Sequence, residues 1–274
     1  MPRLILSVAL LAGLGSQADA QGVVVAPHAV YLDHRTRSAS LTLYNPGAEP
    51  AEVTIFSFFG YPVTDSLGHF TLFVPDSVAP SMPSAPWIEA FPRRMTLAPL
   101  ARQTVRLLSR PPQGLADGEY WSRIVISAKG GAVQVAGVDS AGIQIGLTLE
   151  VRTILPLIYR KGPLRTAVGV SALKASPSGD SLSVRVRLER QGTAAYVGTA
   201  KGTLSTLAGV TVATFQQPVA IYYDAEPVFT MPLPPRAKGA YRLRLELSSE
   251  RSDILPELLL RAPPVSDSIE VTLP

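Results

Sequence analysis

The side chains best suited to catalysis or metal binding are sparse in this chain and are not grouped. The three histidines, His28, His34 and His69, lack metal-ligand spacing and have no acidic cluster beside them. Cysteine is absent, which excludes disulfides, thiol nucleophiles and Cys-based metal sites. The sequence also has no nucleophile-elbow motif and no phosphate-binding Gly-rich loop. We therefore predict a protein that is not an enzyme and that needs neither a metal nor a cofactor.

The most informative residues are apolar and suited to binding. From Ile143 to Val151 every second residue is aliphatic, and the residues between them are small or polar. Successive side chains of a strand point to opposite faces, so one face of about 30 Å carries the whole aliphatic set. The set comprises Ile143, Ile145, Leu147, Leu149 and Val151. Alternation does not say whether this face fills the core of the protein itself or that of a partner.

The N-terminal residues predict export. Arg3 precedes the apolar run from Leu4 to Leu14, and Ala18-Asp19-Ala20 forms a small-x-small cleavage site. A transmembrane helix needs about 20 apolar residues, and this run is roughly half as long. We therefore predict a cleaved signal peptide over residues 1–20, a periplasmic location and no stable membrane span. A net charge of +4 with 17% charged residues does not suggest a nucleic-acid partner.

Short strands dominate the rest of the chain. Alternating runs such as Leu182 to Leu188 and Tyr241 to Leu247 are separated by Pro, Gly and Asn turns. With 25 Pro and 21 Gly, long helices are not expected. This pattern predicts an all-β chain of two immunoglobulin-like β-sandwich domains, at residues 21–161 and 162–274. The Pro-rich insertion at residues 62–86 contains the apolar run from Phe70 to Val74 and is expected to form a hairpin.

A series of short motifs in the first half resembles a known family. Leu41 to Gly47 ends in an Asn-Pro-Gly turn, and Pro92 to Pro99 is followed by Gln103 to Leu107. Gly118-Glu119-Tyr120 comes next, and the long strand after it ends in Tyr159-Arg160. In this order, residues 22–161 resemble the N-terminal domain of PapD-like periplasmic pilus-assembly chaperones. The second half matches that family only as another β-sandwich.

The resemblance implies a mechanism for the aliphatic face. In that family the chaperone lends an edge strand to a pilin-like subunit whose own sandwich lacks its last strand. Ile143 to Val151 would be the donor strand. The resemblance implies pilin-like or other secreted subunits as partners, together with an outer-membrane usher.

The chain departs from the family pattern at the anchor for the subunit's C-terminal carboxylate. The family uses an Arg in the first strand and a Lys three residues before the Tyr-Arg pair. These positions correspond here to the neighbourhood of His28 and to Pro156, which carries no charge. His28 and Arg152 are the candidate replacements.

A second function fits the same sequence features. An exported immunoglobulin-like structural or adhesive protein would share the signal peptide and both sandwiches, and would need no anchor cations. The two hypotheses differ in the fate of Ile143 to Val151. We expect a chaperone to leave part of this face exposed or covered by the Gly- and Ala-rich loop at residues 128–142, whereas a purely structural domain buries all of it.

Overall fold

The computed structural model describes residues 22–134 and 146–274, with side chains of residues 131–148 left out of the description. The predicted signal peptide and the candidate residues Ile143 and Ile145 lie outside the described residues. The described chain is built from strands, with one short 3-10 turn at Pro256–Leu258. No helix within these two ranges is long and apolar enough to cross a membrane.

The first sandwich contains two sheets in which most strand pairs are antiparallel. One has the order β1-β3-β9-β7 and the other β2-β11-β10-β4-β8. Their bounds are β1 Val24–Ala26, β2 Val30–Asp33, β3 Ser38–Tyr44, β4 Ala51–Phe58, β7 Ile88–Phe91, β8 Arg94–Leu97, β9 Arg102–Ser109, β10 Gly118–Gln134 and β11 Gly146–Lys161. Alternate residues of the facing strands, such as Leu41, Val105, Ile124 and Leu157, form one shared apolar core.

The second sandwich begins at Thr166 and repeats the plan. One sheet has the order β12-β13-β16, with β17 also paired to β13, and the other has the order β15-β14-β18-β19. The bounds are β12 Thr166–Ser178, β13 Ser181–Gly192, β14 Tyr196–Thr206, β15 Thr211–Ile221, β16 Asp224–Ala225, β17 Val228–Pro232, β18 Gly239–Ser248 and β19 Val265–Leu273. Val184, Leu204, Phe229 and Leu245 lie in its separate core. The predicted all-β fold of two immunoglobulin-like sandwiches is confirmed.

The Pro-rich insertion forms a hairpin, as its apolar run predicted. Strands β5 (Tyr61–Thr64) and β6 (Phe70–Phe73) pair with each other antiparallel and join neither sheet of the first sandwich. The Asp65 carboxylate organises the turn, because its Oδ1 accepts the backbone N–H groups of Leu67 at 2.9 Å and His69 at 2.8 Å. This hairpin lies beside the candidate site.

Candidate binding site

Strand β11 is paired differently along its length. β10 pairs with it antiparallel from Gly146 to Lys161. On the other side, the parallel partner β2 reaches only Leu157 to Arg160. Among the described strands, none pairs with the remaining part of this side, from Gly146 to Pro156. We call this stretch the open edge, and no described strand pairs with its backbone N–H and C=O groups on that side.

The side chains on the core-facing side of β11 pass gradually out of the core. Leu157 and Leu155 are 1% and 5% exposed and belong to the first core. Further along the open edge, Val151 is half-buried, and Leu149 is 43% exposed. The same row of alternate residues is therefore internal at one end and solvent-facing at the other. Leu147 is described only as backbone, in register with Val133.

At Glu150 and Arg152, the opposite face of the open edge is polar. The Arg152 Nε donates to Glu150 Oε1 at 2.7 Å, and Ser127 Oγ donates to the same oxygen at 2.6 Å. The hydrogen bond from Arg152 is the main reason that the pKa of the Glu150 carboxyl lies below its usual range. Arg152 is 60% exposed in its side chain and is engaged on this outer face.

The open edge ends in a cleft of about 540 Å³ between the two sandwiches and the hairpin. Ile154, Pro156 and Ile158 of β11 lie along one side. Pro62, Phe70 and Leu72 of the hairpin form a second side, and Val197, Ala220 and Tyr222 of the second sandwich a third. His28, one candidate anchor residue, lines this cleft, whereas Arg152 is not among the lining residues. The walls are mostly apolar, so charged groups inside them act in a poorly hydrated setting.

A buried cation in the cleft was not found from the sequence. Arg123 of β10 lies directly across the strand pair from Pro156 and is only 7% exposed. Its Nε donates to the Gly60 carbonyl at 3.0 Å, and its guanidinium lies 5.2 Å from the Tyr222 ring centroid. The neighbouring strand β10 therefore supplies a positive charge beside Pro156, which is itself uncharged.

A second arginine, from the segment that follows β18, also lines the cleft. The Arg251 Nε and Nη2 donate to the two Asp253 carboxylate oxygens at 2.7 and 2.6 Å. These hydrogen bonds are the largest reason that the pKa of Asp253 is lowered, and His28 acts in the same direction. Nearby, burial raises the pKa of the Tyr31 hydroxyl to about 12.

Two of the motif residues hold the sandwiches together next to the cleft. Arg160 Nε and Glu119 Oε2 form an ion pair at 2.9 Å, and the Glu119 side chain is 1% exposed. Glu119 Oε1 also accepts the Trp121 Nε1–H at 2.9 Å and the backbone N–H of Ala195, in the second sandwich, at 3.0 Å. Arg160 in turn donates to the Leu258 carbonyl. The Gly-Glu-Tyr and Tyr-Arg motifs thus meet at the junction that shapes the cleft.

The described residues contain no group of three or more His, Cys, Asp or Glu side chains placed to hold a metal ion. The open edge instead offers backbone amides and aliphatic side chains, and the cleft adds the buried Arg123 and the Arg251–Asp253 ion pair. Such an arrangement can pair with an extended chain, bury its alternate side chains and balance a negative charge.

Comparison by sequence found no matching family model and no matching curated protein. Comparison by structure found chaperones. The YadV chaperone is 14% identical, with a TM-score of 0.46, over 91% of this chain and 99% of that one. The E. coli chaperone DraB is 13% identical, with a TM-score of 0.44, over 92% of this chain and 97% of that one. The Salmonella enterica SafA pilin in complex with the SafB chaperone is 15% identical, with a TM-score of 0.43, over 90% and 96%.

Proposed function

We propose that this protein is a periplasmic chaperone that binds pilin-like subunits by pairing the open edge of β11 with a strand of the subunit. The observation that carries the proposal is the open edge itself, with Leu149 exposed on the continuation of a core-facing row. An exposed apolar strand edge favours aggregation, and a dedicated binding role explains why it is kept.

The physical basis is the addition of a strand to a sheet. Main-chain hydrogen bonds to the open edge give affinity, and alternate side chains from Ile143 to Val151 enter the apolar groove of the subunit. Burying one aliphatic side chain contributes about 1.5–3 kcal/mol before the costs of association. The costs of association are about 4–15 kcal/mol. They offset much of the gain from burying five side chains, so the complex can still release its subunit.

The cleft sets the direction of the bound strand. Because β2 takes over the pairing at Leu157, the pairing of a partner strand with the open edge stops near Pro156. The Arg123 guanidinium close to that point favours a negative group, and a chain has one at its C-terminus. β11 runs toward the cleft, so a partner strand whose C-terminus lies there is parallel to β11. We propose Arg123, with His28, as the carboxylate anchor, since Arg152 is engaged with Glu150 and does not line the cleft.

The alternative is an exported structural or adhesive sandwich protein without chaperone activity. That hypothesis expects the aliphatic row to be buried in the protein's own core. The exposure of Leu149 and the missing strand partner along the open edge, within the described residues, favour the chaperone. Export through the signal peptide and a contact with an outer-membrane usher belong to the same proposal.

The experiment compares two aliphatic-to-charged substitutions of similarly exposed residues. Tagged protein is expressed in the periplasm as wild type, Leu149→Asp and Leu207→Asp, and bound proteins are identified by mass spectrometry. Leu207 lies on a turn of the second sandwich and is 54% exposed. Leu149→Asp is expected to lose pilin-like subunits because a carboxylate cannot enter an apolar groove. Leu207→Asp is expected to keep them.

The proposal is wrong if folded Leu149→Asp recovers the same subunits as wild type. It is also wrong if wild type recovers no pilin-like subunit from cells that express such subunits. Circular dichroism of each variant shows whether the sandwiches are folded, so loss of binding is not confused with loss of structure.

A further inference from the structure

The hairpin β5–β6 starts from the first sandwich and contacts the second. At its turn, the Gly68 carbonyl accepts the Val228 backbone N–H at 3.0 Å. One residue before the turn, Thr64 Oγ1 accepts the Glu226 backbone N–H at 2.8 Å. Two donors at the β16–β17 junction are therefore satisfied by the hairpin.

The fit at the turn leaves no room for a side chain. Gly68 has a φ of +87°, and a Cβ at this position would lie 2.4 Å from Val228 Cγ2 and 2.8 Å from Val228 N. Glycine is required here both by the left-handed backbone and by the close approach of the second sandwich. The hairpin is thus shaped for this contact.

Aromatic contacts extend the junction along the hairpin. Phe70 packs against the core of the second sandwich. Tyr61 makes an edge-to-face contact with Tyr223 at 4.9 Å between ring centroids and lies 6.3 Å from Trp121. These contacts bring apolar area from the first sandwich, the hairpin and the second sandwich together.

We propose that the hairpin is a brace that fixes the angle between the two sandwiches and thereby the width of the cleft. Sandwiches joined by a short linker move relative to one another unless a large apolar interface prevents it. Pro62, Phe70 and Leu72 line the cleft opposite Ile154, so the element that sets the width also supplies one wall.

The test needs no binding partner, so its outcome is independent of the proposed function. Because the chain has no cysteine, Gln113→Cys and Ala208→Cys introduce two unique spin-label sites, both exposed and one in each sandwich. Double electron–electron resonance then gives the distribution of distances between them. Phe70→Ala in this background is expected to broaden the distribution and shift it from the wild-type mean. Leu67→Ala, at an exposed position of the same turn, is expected to leave it unchanged.

Thr64→Val provides a milder variant, which removes the acceptor for Glu226 and keeps the side-chain shape. If Phe70→Ala does not fold, Thr64→Val still has to broaden the distribution. The brace proposal is wrong if a folded Phe70→Ala protein gives the wild-type distance distribution. If Phe70→Ala does not fold, it is wrong if Thr64→Val gives the wild-type distribution. A distribution broadened equally by Leu67→Ala would also overturn it, because the effect would then not depend on the docking contacts.

Discussion

The two halves of β11 carry the same alternation of side chains but have different surroundings. From Leu157 to Arg160 the strand is paired on both sides, and its core-facing residues are buried. Along the open edge β10 is its one partner among the described strands, and Leu149, the outermost side chain of the row that the structure describes, is exposed. The comparison teaches that one strand can belong to the protein's own fold at one end and present a binding edge at the other.

The largest loss of stability is expected at the junction between the two sandwiches. There Arg160, in the inner half of β11 (Leu157 to Arg160), pairs with Glu119. Glu119→Ala leaves the Arg160 guanidinium without its carboxylate and leaves two buried N–H donors without their acceptor. Removing one partner of a buried ion pair costs about 3–5 kcal/mol. Urea unfolding monitored by tryptophan fluorescence measures this loss in the free energy of unfolding.

Glu119→Gln is the matched control, because it keeps one acceptor oxygen in the same shape. It is expected to lose less stability than Glu119→Ala. Equal losses for both variants would show that the charge matters more than the shared hydrogen bonds. A loss below about 1 kcal/mol for Glu119→Ala would contradict the role assigned to this junction.

Truncation of two leucines on the same face of β11 tests the comparison directly. Leu157→Ala removes a buried side chain and is expected to cost about 2–5 kcal/mol of unfolding free energy. Leu149→Ala removes an exposed one and is expected to change it by no more than about 0.5 kcal/mol. Both are measured by urea unfolding. A large loss for Leu149→Ala would mean that the open edge is part of the fold.

The alternation of β11 was visible in the sequence because it depends only on the period of a strand. The burial of each residue could not be predicted from the sequence, since it depends on how far β2 pairs along the other side of β11. The anchor shows the same limit. Arg123 lies next to Pro156 only through the β10–β11 register, whereas sequence spacing pointed to Arg152, which is paired with Glu150 and does not line the cleft.

For the hairpin β5–β6, too, the sequence predicted the strands but not their contacts. The strand over Phe70 to Phe73 followed from a run of apolar and β-branched residues, and it is confirmed. Its docking on Glu226 and Val228 joins positions about 160 residues apart, and no local pattern marks such a contact. Local periodicity therefore predicted the elements, and long-range pairing determined the cleft.

The smallest expected effect is on the polar face of the open edge. Arg152→Gln removes the main cause of the lowered Glu150 pKa, so that pKa is expected to rise toward its usual value. A lowered carboxyl pKa gives stability that is present above the unfolded-state pKa and is lost as pH falls through the folded-state value. The Glu150 pKa is followed by NMR titration of its side-chain carboxyl carbon. Because the pair is exposed, unfolding at neutral pH is expected to change little, in contrast to Glu119→Ala. A large loss of stability in Arg152→Gln would mean that the Glu150–Arg152 pair stabilises the fold as the inner half of β11 does. The distinction between the two halves would then not hold.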